Sequence, residues 1–197
     1  MKRLISTIWV LLIASNLLGQ AWELASNKRG VTVYTRLETG SQVKAFRAEK
    51  EIQAPMEDIL KILSDISTYT QWYDHCKSAE KLSIGENSFI YQMEFAMPFP
   101  FSNRYVVNEV IVTQTDSITF LDFQQVSGVK YYLEKAVRMP VSKGNWILTS
   151  TGPSTTYVSH QYLGDPAGHI PSGLINMLLV SGPINTLVQL EEFILSQ

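Results

Sequence analysis

The sequence predicts an α+β fold in which a curved antiparallel sheet wraps around a long C-terminal helix, with two short helices after the first hairpin. Three observations predict it. Strand-like runs follow one another from Ala79 onward at the spacing of an antiparallel meander. Two consecutive helical stretches separate an opening hairpin from that meander. An apolar helical run, from about Ser172 to Ile194, then closes the chain. With 197 residues and no low-complexity linker or internal repeat, one domain with a sizeable core is expected.

The N-terminus stands apart from that domain. Lys2 and Arg3 precede an apolar run from Ile8 to Ala14, and Gly19-Gln20-Ala21 has small residues at the two cleavage-determining positions. This is the layout of a secretory signal peptide, so residues 1–21 are expected to be a cleaved leader and 22–197 the folded domain. Ser15, Asn16 and Gln20 interrupt the span, which disfavours the alternative of a retained membrane anchor. Cleavage after Ala21 removes two basic side chains and takes the formal net charge from −2 to −4. Cys76 is the sole cysteine, so no internal disulfide can form. Export without disulfides fits a bacterial periplasm.

The opening strand alternates through Gly30 to Thr35, and Glu38-Thr39-Gly40-Ser41 reads as a turn. In the return run, Val43 to Ile52, Phe46, Ala48 and Ile52 share one face; Arg47, Glu49 and Glu51 share the other, wet one. Pro55 then opens a helix, with Glu57 and Asp58 in the first turn where the macrodipole favours acids. Met56, Ile59, Leu60 and Leu63 form its apolar stripe. Ser67 or Thr68 is placed to cap a second short helix through Tyr69, Trp72 and Tyr73. Strands are expected near 79–83, 88–96, 103–115, 118–126, 145–151 and 155–163. Between Gly128 and Lys143 the pattern is mixed: Tyr131 to Val137 reads as extended, and Met139-Pro140 breaks it.

Asp165-Pro166 ends the last strand, because proline cannot donate to a ladder. Gly168 permits a positive φ, and Pro171 suits the first turn of a helix. That helix is apolar almost all round at its start, through Leu174, Ile175, Met177, Leu178, Leu179 and Val180, so its first half is expected to be buried on several sides. Gly182-Pro183 is expected to kink or interrupt it. A sheet gripping a helix in this way is the helix-grip architecture, and the space between the two is its natural cavity.

Composition and motifs narrow the function. Hydrophobic residues make up 45% and charged residues 17%, which allows a large apolar interior and argues against disorder. A net charge of −2 without a basic stripe argues against nucleic acid as a partner. No G-x-S-x-G, H-E-x-x-H, glycine-rich phosphate loop or C-x-x-C occurs, and no catalytic residue, metal or cofactor is expected. A metal site at Asp74-His75-Cys76 would need neighbours in sequence to converge, so a solvated or capped helix end is the better account. Cys76 reads as a buried or half-buried structural thiol.

The run Asp165-Pro166-Ala167-Gly168-His169-Ile170-Pro171-Ser172-Gly173-Leu174-Ile175-Asn176, followed by Gly182-Pro183, resembles the C-terminal signature of the START (steroidogenic acute regulatory protein-related lipid transfer) domains, within the helix-grip or Bet v 1-like superfamily. The resemblance takes in Trp22, the strand of Val31, Val33 and Tyr34, Trp72, Pro98 through Arg104, and Val137-Arg138. Two features depart from the family. Its longer N-terminal helix has only Trp22 to Ser26 to occupy, and its common Arg-Asp is Arg104-Tyr105 here. The resemblance implies a cavity closed by the terminal helix, a lipid or other hydrophobic small molecule as ligand, and transient contact with a membrane. Two alternatives stand beside it. One is an enzyme of the same fold, a cyclase or hydrolase acting on a polycyclic substrate, with Glu94, Arg104 and His160 as its acid–base candidates. The other is an interaction module whose cavity its own side chains fill.

Candidate ligand-binding residues follow. Arg104 shares a strand face with Val106, Asn108, Val110 and Val112. It either snorkels to water, pairs inside (Glu94 being the first partner to consider), or anchors a hydroxyl, carboxylate or phosphate of a ligand. Two prolines keep Met97-Pro98-Phe99-Pro100-Phe101 out of the sheet, so Phe99 and Phe101 either pack on the terminal helix or form a membrane-contacting gate. Tyr91, Trp146, His160 and Tyr162 are candidate lining residues or plain core, and Arg138 matches a Val-Arg dipeptide of the family. Ile175 and Leu179 of the terminal helix complete the set.

Overall fold

The computed structural model describes residues 21–41, 43–129 and 131–197, so all but the last residue of the expected leader lies outside it. Ten strands form one sheet: β1 (Glu23–Lys28), β2 (Val31–Leu37), β3 (Lys44–Ile52), β4 (Cys76–Ile84), β5 (Ser88–Phe95), β6 (Asn103–Gln114), β7 (Ile118–Gln125), β8 (Ala136–Arg138), β9 (Val141–Gly152) and β10 (Thr155–Asp165). Their order is β1-β2-β3-β10-β9-β7-β6-β5-β4, antiparallel throughout, and β8 lies parallel to the start of β6. The last long strand therefore docks beside the first hairpin, and the meander runs out from there to an edge at β4.

The alternation read from the sequence is what curves the sheet around a core. Val31, Val33, Phe46, Ala48 and Ile52 point inward and are buried. The segment from Trp22 onward is a strand, not a remnant helix: β1 pairs with β2 through a two-residue turn, Arg29 and Gly30, whose positive φ values of 56° and 73° match the strand twist. Among the described residues between Gly128 and the start of β9, Ala136–Arg138 joins the sheet and the rest stays out of it. Tyr131 instead folds back on Tyr105, whose hydroxyl donates to the Tyr131 carbonyl.

Helix α1 (Met56–Ser64) starts after Pro55 and buries Met56, Ile59, Ile62 and Leu63, with Leu60 only partly covered. Asp65 caps a 3-10 turn, Ile66–Thr68, by accepting from the Ser67 amide, and Thr68 takes the N-cap position of the next helix without a side-chain cap bond. Thr68 Oγ1 accepts from Trp72 Nε1 at 3.1 Å instead. The one-turn helix α2 (Tyr69–Trp72) drives Tyr69 and Trp72 into the core.

Helix α3 (Ser172–Leu195) runs unbroken through Pro183, so the proline does not interrupt it. It packs on β2, β3, α1 and α2. Its burial reverses the expectation. The second half carries the core residues Ile184, Leu187, Val188 and Leu190, whereas Met177 in the first half is 53% exposed. The first half lies over a cavity that Phe46, Phe95 and Tyr162 of the sheet line from the other side.

Candidate functional site: a cavity beneath the terminal helix

The concave face of the sheet is longer than the cavity it contains. Its deep half is plugged by the paired helices. Tyr69 lies 6.2 Å from Tyr91, and Trp72 lies 6.3 Å from Trp146, ring centre to ring centre. What remains open is a cavity of about 140 Å³ under the first half of α3. The sheet contributes Phe46, Phe95, Tyr162 and Gly164 to it, and α3 contributes Ile175, Leu178, Leu179, Gly182 and Pro183. Arg104, Pro166 and Ile170 stand at one end, and Tyr73, Asp74, His75 and Thr186 at another side.

Arg104 opens β6 opposite Phe95, so its side chain turns to the concave face, where it is 6% exposed. It makes no carboxylate pair among the described residues. Its Nε donates to the Pro166 carbonyl, Nη1 to the Ser102 carbonyl, and Nη2 to the Ala167 carbonyl at 3.2 Å. Burial lowers its pKa, yet a guanidinium keeps its charge. The Asp-Pro-Ala-Gly turn exists in this shape because Asp165 Oδ1 accepts from the Ala167 amide at 2.8 Å. Ala167 and Gly168 then take positive φ values of 54° and 72°, and two carbonyls face Arg104.

Glu94 is not the partner of Arg104. It pairs across the sheet with Tyr105, on the opposite face of β5, and lies outside the cavity lining. There its carboxylate accepts from Asn103 at 2.7 Å, Lys77 at 3.1 Å and Ser78 at 3.3 Å. Burial pushes the carboxyl upward, but these hydrogen bonds and the Lys77 charge together hold it below its ordinary value.

His160 faces the concave side but is sealed from the cavity. It stacks on Trp146 at 3.7 Å, meets Tyr73 Oη at 3.2 Å through Nε2, and meets the Asn145 carbonyl at 3.2 Å through Nδ1. Burial drives its pKa down to about 3, so it is neutral. Glu94, Arg104 and His160 thus lie in three separate environments and form no acid–base pair. Among the described residues no three or more side chains cluster as metal ligands. Cys76 is partly buried, and desolvation, then the nearby Glu94 charge, raises its thiol to about 12.

The remaining candidates divide. Tyr162, Ile175 and Leu179 line the cavity. Tyr91 and Trp146 are buried beyond it, under the paired helices. Arg138 lies off the cavity and donates to the Val126 carbonyl at 2.9 Å, tying down the segment before β8. Met97 reaches the lining, whereas Phe99 is 98% exposed and packs on nothing; Phe101 is half-buried. Several lining residues escaped sequence reasoning. Tyr73 reads as part of a helical stripe, and Met139 sits in the stretch of mixed pattern. Thr186, beside Ile184, Leu187 and Val188, is a polar residue buried within α3, and its hydroxyl accepts from the Asp74 amide at 3.2 Å.

Comparison with known proteins agrees with this architecture. A solved STAR-related lipid transfer protein from Xanthomonas axonopodis (fragment 25–204) superposes with a TM-score of 0.80 at 28% identity, covering 88% of this chain and 98% of that one. An uncharacterized protein of Pseudomonas aeruginosa is 32% identical over 177 residues, 89% of this chain and 87% of its own length. The phosphatidylcholine transfer protein of Bos taurus is 28% identical over 179 residues, 86% of this chain and 82% of its own. The sequence profile of the START domain matches residues 11–194, nearly the whole chain, and the protein belongs to the START domain family.

Proposed function

We propose that this chain binds a single hydrophobic molecule of lipid class beneath α3 and carries it between membranes without transforming it. The observation that carries the reading is the cavity: apolar on nearly every side, roofed by a half-exposed helix segment, with a cationic side chain at one end. Binding draws on apolar burial, roughly 0.8 kcal/mol for each methylene withdrawn from water. At about 140 Å³ the cavity, partly open to solvent, falls below the ~300–1,000 Å³ of sites for drug-sized ligands, so a two-chain lipid fits only when the roof moves. The first half of α3 and the 97–102 loop are the segments suited to move, since Met177 and Phe99 expose their side chains. Both also offer apolar contact to a bilayer surface. The dispersal of Glu94, Arg104 and His160 supports a binding role over a catalytic one.

The relatives named for phosphatidylcholine transfer make a zwitterionic phospholipid the first class to test, and Arg104 suits a phosphate oxygen. The leader-like N-terminus and the single cysteine support a setting in the periplasm, with the working chain starting at Trp22. Native mass spectrometry of protein purified from its own host, with lipid extraction, tests the reading. One defined lipid per chain is expected, together with transfer from phosphatidylcholine donor vesicles to acceptor vesicles. An empty protein that turns over a polycyclic compound would overturn it. N-terminal sequencing that recovers Met1 would replace the cleaved leader with an anchor.

A further inference from the structure

Behind Tyr162 a file of hydrogen-bonded side chains crosses from β6 to β9 to β10. Asn108 is 1% exposed, and its Nδ2 donates to Ser142 Oγ at 2.9 Å and to Tyr91 Oη at 3.2 Å. Ser142 Oγ lies 3.3 Å from Tyr162 Oη. An amide nitrogen only donates, so the Ser142 oxygen accepts from Asn108 and keeps its own proton to give. Among the described residues the one acceptor paired with that hydroxyl is Tyr162 Oη. With the Asn108 amide turned this way, its Oδ1 buried without a partner, the arrangement that gives both hydroxyl protons an acceptor has Ser142 donating to Tyr162 and the Tyr162 proton turned the other way.

What that proton meets is Met139 Sδ at 3.9 Å, a thioether and a weak acceptor. Tyr162 and Met139 both line the cavity. Burial pushes the Tyr162 hydroxyl up to about 12, so the proton stays in place at working pH. Gly164 makes the room: a Cβ there would stand 2.6 Å from Tyr162 Oη and 2.7 Å from Met139 Cε. The cavity is thus offered a neutral donor whose present partner is a poor one.

We propose that Asn108 and Ser142, neither of which lines the cavity, set Tyr162 as a hydrogen-bond donor into it, and that this favours ligands presenting a neutral acceptor, an ester or acid carbonyl oxygen, over hydrocarbon of the same length. The proposal rests on the lipid-binding reading and names a chemical group that the ligand carries. Asn108 and Ser142 are positioning residues; Tyr162 makes the contact.

The test is displacement of Nile red from the mature chain by methyl laurate and by tetradecane, the ratio of the two displacement constants being the readout. Tyr162→Phe should lower the ester's relative affinity about fivefold, the worth of one neutral hydrogen bond. Asn108→Asp should do the same, because an acceptor at position 108 takes the Ser142 proton and Tyr162 then donates to Ser142. Adding Ser142→Ala to Asn108→Asp should restore the ratio, since the misdirected acceptor is gone; a merely structural role would not be rescued. Should Asn108→Asp fail to fold, Asn108→Leu serves: without the Asn108 N–H, Ser142 and Tyr162 share one bond that either hydroxyl can donate, and the ratio should fall partway. An unchanged ratio in Tyr162→Phe overturns the proposal, as does a fall there with none in the Asn108 variants. If Nile red and both compounds fail to bind the unaltered chain, the lipid-binding reading fails first, a result distinguishable from either of these.

Discussion

His160 illustrates how burial changes the meaning of a residue type. A histidine near a cavity suggests acid–base chemistry, but this one is 1% exposed, stacked on Trp146, and held neutral with a pKa near 3. The unfolded chain binds a proton near pH 6.5 that the folded chain refuses. Stability from this group is therefore complete above pH 6.5 and is lost as pH falls toward 3. Denaturant unfolding should show about 2 kcal/mol lost between pH 7 and pH 5, and His160→Phe should flatten that slope. Arg104 is likewise a structural clamp before it is anything else, since it joins Ser102 to Pro166 and Ala167. Arg104→Met should cost about 2–3 kcal/mol by leaving those carbonyls without a charged donor, measured as a shifted urea midpoint. Arg104→Lys should recover only part, because one ammonium cannot span all three oxygens.

Among the elements, α3 is two things in one helix. Its second half is a core element, with Leu187 and Leu190 fully buried, while its first half roofs the cavity with Met177 exposed. The first half is apolar on nearly every side, whereas the second interleaves Ile184, Leu187, Val188 and Leu190 with Asn185, Gln189, Glu191 and Glu192, so periodicity marks only the second half as one-sided and says nothing of the space beneath the first. The 97–102 loop makes the complementary case. Its prolines and phenylalanines mark it plainly in the sequence, and Phe99 stands 98% exposed at its tip. Phe99→Asp should leave stability within about 0.5 kcal/mol, because the side chain packs on nothing. The same change should weaken association with phosphatidylcholine vesicles in a sedimentation assay, since a carboxylate resists an apolar interface. Unchanged sedimentation would remove the loop from membrane contact.

For the molecule as a whole, the arrangement implies uneven stability. The sheet and the second half of α3 share one core, whereas the roof and the 97–102 loop are held to it at few points, Arg104 among them. Hydrogen exchange should therefore be faster across 172–181 than across 184–194 in the free protein. Vesicle or ligand binding should slow the first segment selectively. Uniform protection along α3 would mean that the helix moves as one body, and ligand uptake would then need another route.

The sequence by itself determined the order of the elements from β2 onward, the short β8 apart, the inward face of β3, and the family, because strand alternation, helix starts and the Asp165-to-Asn176 run are local properties of the chain. It also placed Arg104 on the same strand face as Val106 and Asn108, a matter of period two. Only the tertiary structure decided what covers each face. Periodicity tells which way a side chain points, not whether a helix, a loop or an open space lies opposite. Tyr91, Trp146, His160 and Tyr162 all point inward, yet α1 and α2 bury the first three and leave Tyr162 at the cavity. Glu94 falls on the outer face because it alternates with Tyr91, Met93 and Phe95, and the β5–β6 register sets it beside Tyr105 while Phe95 faces Arg104. The three carbonyls that hold Arg104 come from residues 102, 166 and 167, and only the curved sheet brings those two segments together.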